Sequence, residues 1–181
     1  MPATRPLHRA ATVRERHANT MHGSILQLNT SKGGIPKRTI AMARVTELGL
    51  EGDGHDHPLI HGGPRQALLF ITSEGIAELA AAGFPVSPGT LGENITTLGL
   101  DRRALRIGQR WRIGADVVIE FTKIRVPCDT LNPLGRGIQA ALYDARVKAG
   151  DAATERWGLS GFYAKVISPG EIRTGDEIAR D

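Results

Sequence analysis

The stretch ALLFITSEGIAELAAAG, residues 67–83, changes its hydrophobic period halfway along. Residues 67–71 form a short, continuous apolar run between turn signals, which is typical of a strand buried on both faces. From Ser73 onward, the apolar residues Ile76, Leu79 and Ala80 follow helical spacing until Gly83 ends the run. We therefore predict a buried strand that leads directly into a helix, with Ser73 as the helix N-cap.

The rest of the chain alternates short extended segments with glycine-rich turns. Apolar residues at helical spacing occur once more, between Gly137 and Gly150, where a second helix is predicted. Strands are predicted at residues 24–28, 39–48, 94–97, 109–113, 117–126, 161–167 and 176–178. Many short strands, few helices and 22 glycines indicate a mainly β (α+β) domain that forms a barrel or a strongly curved sheet.

Length and composition limit the class of protein. At 181 residues, with 40% hydrophobic and 23% charged residues, the chain fits one globular domain that needs no disulfide or metal to fold. No apolar run approaches the roughly 20 residues that cross a bilayer, so we expect a soluble, cytoplasmic protein without a membrane partner. Aromatic residues make up only 4% of the chain, which argues against a nucleic-acid partner that is bound by base stacking.

The basic residues are concentrated at the start of the chain. Residues 1–20 contain four arginines and one glutamate, and without these five charges the net charge falls from +4 to +1. The stretch has no apolar core of a secretory signal, so we expect a disordered leader at residues 1–22 and a single domain at 23–181. An upstream start ahead of Met21 and a mitochondrial presequence are the alternative interpretations.

Cys128 is the only cysteine, and it lies in a proline-bracketed turn directly after an apolar run. A single thiol forms no internal disulfide, so it acts as a thiol, a thiolate ligand or a sulfur carrier, unless it is simply a small buried side chain. Strand ends and loops present side chains to ligands, and Pro127 stiffens the approach to the thiol. The position therefore makes Cys128 a candidate functional residue.

The loop at residues 49–65 is long for a compact domain, and such loops are usually functional or disordered. Its five glycines permit backbone N–H groups to converge on an anion. The loop matches neither a phosphate-binding P-loop nor a dinucleotide-binding fingerprint, which argues against a nucleotide-binding fold. Its histidines His55, His57 and His61, with two aspartates, either form a divalent-metal site or lie exposed in the loop.

Five groups of residues, taken in order, resemble the MOSC domain, the module of molybdenum cofactor sulfurases, and in particular its stand-alone bacterial type. The resemblance runs from about Gly23 to Arg180. The groups are Gly49-Leu50-Glu51-Gly52-Asp53, His61-Gly62-Gly63, Gly92-Glu93-Asn94-Ile95, Pro127-Cys128, and Gly161-Phe162-Tyr163 with Ile172-Arg173-Thr174-Gly175-Asp176. The family implies a MOSC-type β-barrel-like domain with a few short helices that binds the molybdenum cofactor, a molybdopterin.

The resemblance also implies roles for individual residues. Cys128 matches the cysteine that ligates molybdenum, a metal that accepts soft thiolate ligands. Gly92 and Glu93 stand where some relatives have Arg and Pro, so another cation has to bind the cofactor phosphate. The remaining positions implied for cofactor binding are Thr72, Ser73, Asn94, Gly62 and Gly63, with Arg65 or Lys32 as the substitute phosphate ligand.

The function implied by this resemblance is a molybdenum-dependent oxidoreductase that reduces N-hydroxylated compounds such as hydroxylaminopurines and amidoximes. His61 or Asp129 is expected to supply protons. A single cysteine cannot hold an iron–sulfur cluster, so external electron-donor proteins are expected as partners. A homodimer is a further expectation from the family.

Two other functions fit the same residues. In the first, Cys128 carries a persulfide as a sulfurtransferase, and a separate cysteine desulfurase is needed because a pyridoxal-phosphate domain does not fit in this length. In the second, the protein is a cofactor carrier without catalysis. Molybdenum bound through Cys128 would favour the reductase, and a persulfide without molybdenum would favour the sulfur carrier.

Overall fold

The computed structural model describes residues 22–54 and 62–181, and this part of the chain is mainly β. Its strands are β1 (His22–Thr30), β2 (Arg38–Ile40), β3 (Met42–Thr46), β4 (Gly49–Leu50), β5 (Leu68–Thr72), β6 (Ile95–Leu98), β7 (Arg110–Ile113), β8 (Val117–Ile124), β9 (Phe162–Ser168), β10 (Gly170–Arg173) and β11 (Glu177–Arg180). Its helices are α1 (Ser73–Ala81), α2 (Ile138–Leu142) and α3 (Ala145–Lys148), with 3-10 turns at Pro64–Gln66 and Asp129–Leu134.

Seven of these strands close into a barrel in the order β11-β7-β8-β9-β5-β6-β1, because β1 pairs with β11 as well as with β6. The pairs within the barrel are antiparallel except for the parallel pair β5–β6, which α1 connects. Strand β2 extends β1 at one edge, and β10, β3 and β4 form a separate small sheet. The predicted mainly β, barrel-type fold with a few short helices is confirmed.

The barrel interior is filled by aromatic side chains packed around Phe121. The Phe121 ring centroid lies 5.1 Å from that of Phe162, 5.5 Å from that of Phe70 and 6.3 Å from that of Trp111. All four residues are buried. Alternate residues of β7 point inward, as expected for a strand with one face in the core and one face toward solvent.

A second apolar cluster lies outside the barrel and joins α1 to the segment that follows β8. Ile76 and Leu79 of α1 pack in one cluster with Leu131 of the second 3-10 turn and with Ile138 and Leu142 of α2. Residues 129–142 are thereby held against α1. This packing fixes the start of that segment, where Cys128 lies.

The strand-to-helix prediction for residues 67–83 is confirmed by β5 and α1, and every residue of β5 is buried. The predicted N-cap was wrong by one residue. Thr72 is the cap: its backbone is extended, and its Oγ1 accepts a hydrogen bond of 3.1 Å from Gly75 N–H. Ser73 is already helical, and its hydroxyl donates to Glu74 at 3.2 Å.

The second predicted helix is not continuous. Tyr143 has an extended backbone, and Asp144 begins a new helix by accepting a hydrogen bond of 2.9 Å from Val147 N–H. The break allows the ring of Tyr143 to pack against the core, which helical periodicity alone does not reveal. The short strands β4 and β10 were not predicted, and β1 begins at His22, within the segment expected to be a leader.

The longest α-helix described here has nine residues, and none in this part of the chain is long and apolar enough to cross a membrane. Most of the expected leader and the loop residues 55–61 lie outside the described residues.

A buried carboxylate fixes the turn before β6. Glu93 is fully buried, and its Oε1 accepts hydrogen bonds from Gly89 N–H at 2.6 Å and from the Thr96 hydroxyl at 2.9 Å. Its other oxygen, Oε2, has no partner within the described part of the chain. Burial raises the pKa of Glu93 above the ordinary value of 4.5, although its hydrogen bonds act in the opposite direction.

Thr72→Ala should lower the free energy of unfolding by about 1 kcal/mol, because it removes the N-cap of α1. Thr72→Ser keeps the capping oxygen and should retain most of the stability. The matched control is Ser73→Ala, which should change stability by less than about 0.5 kcal/mol. Urea unfolding of the three variants measures these differences. A larger loss from Ser73→Ala than from Thr72→Ala would contradict the cap assignment.

Glu93→Gln should flatten the pH dependence of stability. Since the folded-state pKa of Glu93 lies above 4.5, the unfolded chain releases this proton first, so stability is lost as pH rises from 4.5 through the folded-state pKa. One such group contributes a slope of at most about 1.4 kcal/mol per pH unit. Glutamine keeps the oxygen that binds Gly89 and Thr96, so the variant should be the more stable protein at neutral pH. Urea midpoints measured across this pH range test the sign, and parallel curves for both proteins would contradict it.

Candidate functional site

A cleft opens at the end of the barrel where β5 begins and β8 ends. Its volume is about 90 Å³, several times the roughly 10–15 Å³ that one water molecule needs by the same measure. A ligand larger than a single inorganic ion therefore fits. The residues that line the cleft are Gly34, Ile35, Lys37, Gly54, Gly62, Gln66, Leu69, Gly92, Asn94, Arg125, Cys128, Thr130 and Tyr163.

Cys128 lies in the cleft wall with its side chain partly exposed. Its backbone is extended, and its carbonyl accepts a hydrogen bond of 3.1 Å from Leu131 N–H at the start of the 3-10 turn. The thiol lies 3.4 Å from the Thr130 hydroxyl, to which it donates. Because Leu131 is fully buried, the backbone around the thiol is anchored while the sulfur remains accessible from the cleft.

Arg125 lies three residues before Cys128, directly after β8, and sequence reasoning did not identify it as a site residue. Its backbone is fixed on both sides, since its N–H donates to the Gly161 carbonyl at 2.9 Å and its carbonyl accepts from the Ser160 hydroxyl at 2.7 Å. The residue is only 5% exposed, and Nη1 has no hydrogen-bond partner among residues 22–54 and 62–181.

The charge of Arg125 is unbalanced locally. Burial lowers the pKa of its guanidinium, while the neighbouring groups Tyr163, Cys128 and Glu93 act to raise it. An arginine remains protonated in proteins even so. Among residues 22–54 and 62–181, Arg125 is thus a buried cation in the cleft wall without a paired carboxylate.

Lys37, the other cation in the wall, is neutralised by Asp53. The Asp53 carboxylate accepts from Lys37 Nζ and, at 2.8 Å, from Asn94 Nδ2, and the side chains of this ion pair are almost fully buried. Asp53 also accepts from Ser31 N–H at 2.9 Å. Asn94 is tied to β5 as well, since its Oδ1 accepts from Leu69 N–H at 3.1 Å. This network holds three loops and one strand together at the cleft without adding net charge.

Tyr163 of β9 completes this side of the cleft. Burial raises the pKa of its hydroxyl above the ordinary value, and the nearby Arg125 acts in the opposite direction. The hydroxyl is therefore neutral near pH 7 and able to donate a hydrogen bond. The ammonium of Lys123 lies 5.4 Å from the centre of the Tyr163 ring, a cation–π distance.

The structure brings together only part of the predicted site. Cys128, Asn94 and Gly62 line the cleft. Gly63, Arg65 and Lys32 lie beside lining residues but are not part of the wall, and the side chains of Arg65 and Lys32 are exposed. Their predicted roles in cofactor binding remain predictions.

The other described candidates, Thr72, Ser73 and Asp129, do not line the cleft. Thr72 and Ser73 are at the far end of β5 from the cleft, where Thr72 caps α1. Asp129 is exposed next to Cys128, and its Oδ1 accepts from Gln139 at 3.0 Å. His61 lies outside the described residues, together with His55 and His57 of the alternative metal site. The described residues contain no group of three or more metal-ligating side chains.

Arg125, Lys37, Gln66 and Tyr163 were missed as site residues. Arg125 offered one signal, its position at the end of the apolar run that precedes Cys128. Gln66 and Tyr163 carry no local pattern, because the pairing of β5 with β9 brings their segments together. Lys37 is positioned by its backbone hydrogen bond to Gly89 and its ion pair with Asp53, which are also distant in sequence.

The MOSC domain family matches residues 57–179. Among curated relatives, protein YiiM of Escherichia coli is 31% identical over 134 residues, which cover 71% of this chain and 54% of YiiM. A protein of Gibberella moniliformis named Reductase is 27% identical over 135 residues, which cover 72% of this chain and 22% of that protein. The chain thus spans about half the length of YiiM and much less of the fungal protein.

The crystal structure of YiiM from Escherichia coli superimposes on this chain with a TM-score of 0.63 and 25% identity, and the match covers 89% of this chain and 70% of that structure. The order of the sequence motifs, the barrel architecture and these similarities agree. The chain belongs to the MOSC domain family.

Proposed function

We propose that this protein binds the molybdenum cofactor in the cleft and reduces N-hydroxylated compounds such as hydroxylaminopurines and amidoximes. Cys128 carries the proposal, because the only thiol of the chain is partly exposed in the wall of the described cleft. Membership of the MOSC family supports a molybdenum cofactor, and the similarity to a fungal protein named Reductase supports reduction as the reaction class.

The residues of the cleft fit such a cofactor. Thiolate sulfur is a suitable ligand for a soft metal, so Cys128 would hold molybdenum. The cofactor is anionic, and Arg125 gives the wall a buried positive charge with an unsatisfied donor. When bound, the cofactor would supply the two-electron redox chemistry. Among the glycines of the wall, Gly54 packs against the backbone of Lys32 and Gly92 against Ile35, and both contacts are too close for a side chain.

The reaction consumes two electrons and two protons, breaks the N–O bond of the substrate and gives an amine and water. The electrons would come from an external donor protein. Asp129 is the described candidate for proton delivery, because it is exposed beside Cys128 and its carboxylate is oriented by Gln139. His61 is the second candidate predicted from the sequence.

Cys128→Ser should lose most of its molybdenum, whereas the wild-type protein should contain close to one molybdenum per chain. Elemental analysis tests this on both proteins made anaerobically in a host that synthesises the cofactor. Equal urea midpoints of the two apoproteins would show that the loss is not due to unfolding. Metal-free wild-type protein that acquires a persulfide on Cys128 from a cysteine desulfurase would contradict the reductase and favour the sulfur carrier.

Cofactor-loaded protein should convert 6-hydroxylaminopurine to adenine with a reduced viologen dye as electron donor, measured by chromatography. Asp129→Asn should lower kcat by about tenfold or more at unchanged molybdenum content, because it removes a proton donor. The matched control is Asp116→Asn, which changes an exposed carboxylate in the β7–β8 turn. Loaded wild-type protein that leaves the substrate untouched would rule out this substrate class.

A further inference from the structure

The side chain of Arg125 combines burial with an unpaired charge in the described part of the chain. Side chains of this kind are buried almost only when they are paired. Yet Arg125 is 5% exposed, lines the cleft and leaves Nη1 without a partner in the described part of the chain. Hydrogen bonds to Gly161 and Ser160 hold the backbone of Arg125, so the Cα that carries the side chain has a fixed position.

No carboxylate among the described residues forms an ion pair with Arg125. Asp53 is occupied by Lys37 and Asn94. Glu93 is near enough to affect Arg125 electrostatically, but its Oε1 is occupied by Gly89 and Thr96, and burial favours its neutral form. Within the described part of the chain, the positive charge of Arg125 is therefore available to a group that enters the cleft.

Tyr163 provides a second donor on the same wall. Its hydroxyl makes no hydrogen bond within residues 22–54 and 62–181, and burial keeps it protonated. Arg125, Tyr163 and Cys128 all line the cleft, and Tyr163 pairs across the sheet with Lys123, two residues before Arg125. Lys123 adds positive potential from the outer face of the Tyr163 ring.

We propose that Arg125 and Tyr163 form an oxyanion-binding subsite beside Cys128, and that this subsite takes the phosphate or carboxylate group of an anionic substrate. A guanidinium binds such groups through two parallel N–H donors, and an aromatic hydroxyl adds a third. Since this proposal rests on the proposed reductase function, the preferred substrates are N-hydroxylated nucleotides rather than the free bases. The phosphate of the cofactor is the other possible source of the same oxyanion.

The first experiment needs neither cofactor nor catalysis. Isothermal titration of the apoprotein with inorganic phosphate at low salt should show binding. Arg125→Gln should weaken this binding by about tenfold or more, and Tyr163→Phe by less, because the charge-assisted bonds are the stronger ones. Arg44→Gln, which removes the same charge from an exposed position on β3 away from the cleft wall, should bind like wild type.

Phosphate binding that is unchanged in Arg125→Gln, or absent in wild type, would overturn the subsite. Arg125→Gln should fold, because it removes an unpaired buried charge, and urea unfolding checks this. If it does not fold, Arg125→Lys replaces it. The lysine keeps the charge but loses the two-pronged geometry, so it should bind phosphate more weakly than wild type and more tightly than Tyr163→Phe combined with Arg125→Lys.

The second experiment separates the two sources of the oxyanion in cofactor-loaded protein. Wild type should show a lower KM for 6-hydroxylaminopurine riboside 5′-monophosphate than for the free base. Arg125→Gln should raise the KM for the monophosphate about tenfold more than it raises the KM for the base, and its molybdenum content is measured alongside. Loss of molybdenum from Arg125→Gln would overturn the substrate assignment, because it would mean that the subsite binds the cofactor phosphate.

Different results would contradict the substrate-binding subsite and the reductase function. Wild-type protein that contains molybdenum and reduces both substrates with the same KM would leave the reductase intact and overturn the substrate assignment. Metal-free wild-type protein that binds phosphate through Arg125 would keep the subsite and contradict the reductase.

Discussion

The pairing of β1 with β11 closes the barrel, and the position of the cleft depends on that closure. Residues 22–24 of β1 pair with β11, and the same strand pairs further along with β6 and β2. A closed sheet fixes the tilt and register of its strands together. Leu69 of β5 is therefore held opposite Tyr163 of β9, which in turn lies opposite Lys123 of β8. Arg125 and Cys128 follow immediately in the chain.

The charge of the cleft depends on its two cations, because only one of them forms an ion pair among the described residues. Lys37 is paired with Asp53, which Asn94 also binds, so this ion pair contributes rigidity without net charge. In the described part of the chain, Arg125 is buried without such a pair. An unpaired buried charge costs stability, and such costs are typical of functional sites, where a ligand supplies the missing partner. The ion pair of Lys37 therefore makes the cleft wall rigid, and Arg125 makes it positively charged.

The segment that carries Cys128 is positioned from outside the barrel. Leu131, Ile138 and Leu142 pack against α1, while the backbone of Arg125 is bound to residues just before β9. Two separate packing surfaces therefore meet at residues 125–131. Glu93 adds a similar constraint, because its bonds to Gly89 and Thr96 shape the turn that carries Gly92 and Asn94.

Local sequence patterns determined much of the secondary structure and the identity of the family. The apolar run at residues 67–71, the change to helical spacing and the turn signals depend on neighbouring residues, so they can be read along the chain. The motif order pointed to Cys128 and Asn94, both of which line the cleft. The cap at Thr72 and the helix break at Tyr143 were missed, because hydroxyl geometry and core packing decided them.

Only the tertiary structure decided which cations face the cleft. Arg65 and Lys32 lie in glycine-rich segments and are indistinguishable by sequence from phosphate ligands, but their side chains are exposed outside the wall. Arg125 reads as part of an apolar strand, yet it is the buried cation of the cleft that has no ion pair among the described residues. Burial, and the lack of a counter-ion among residues 22–54 and 62–181, depend on how β8, β9 and β5 pair across long separations in the chain, which no local pattern encodes.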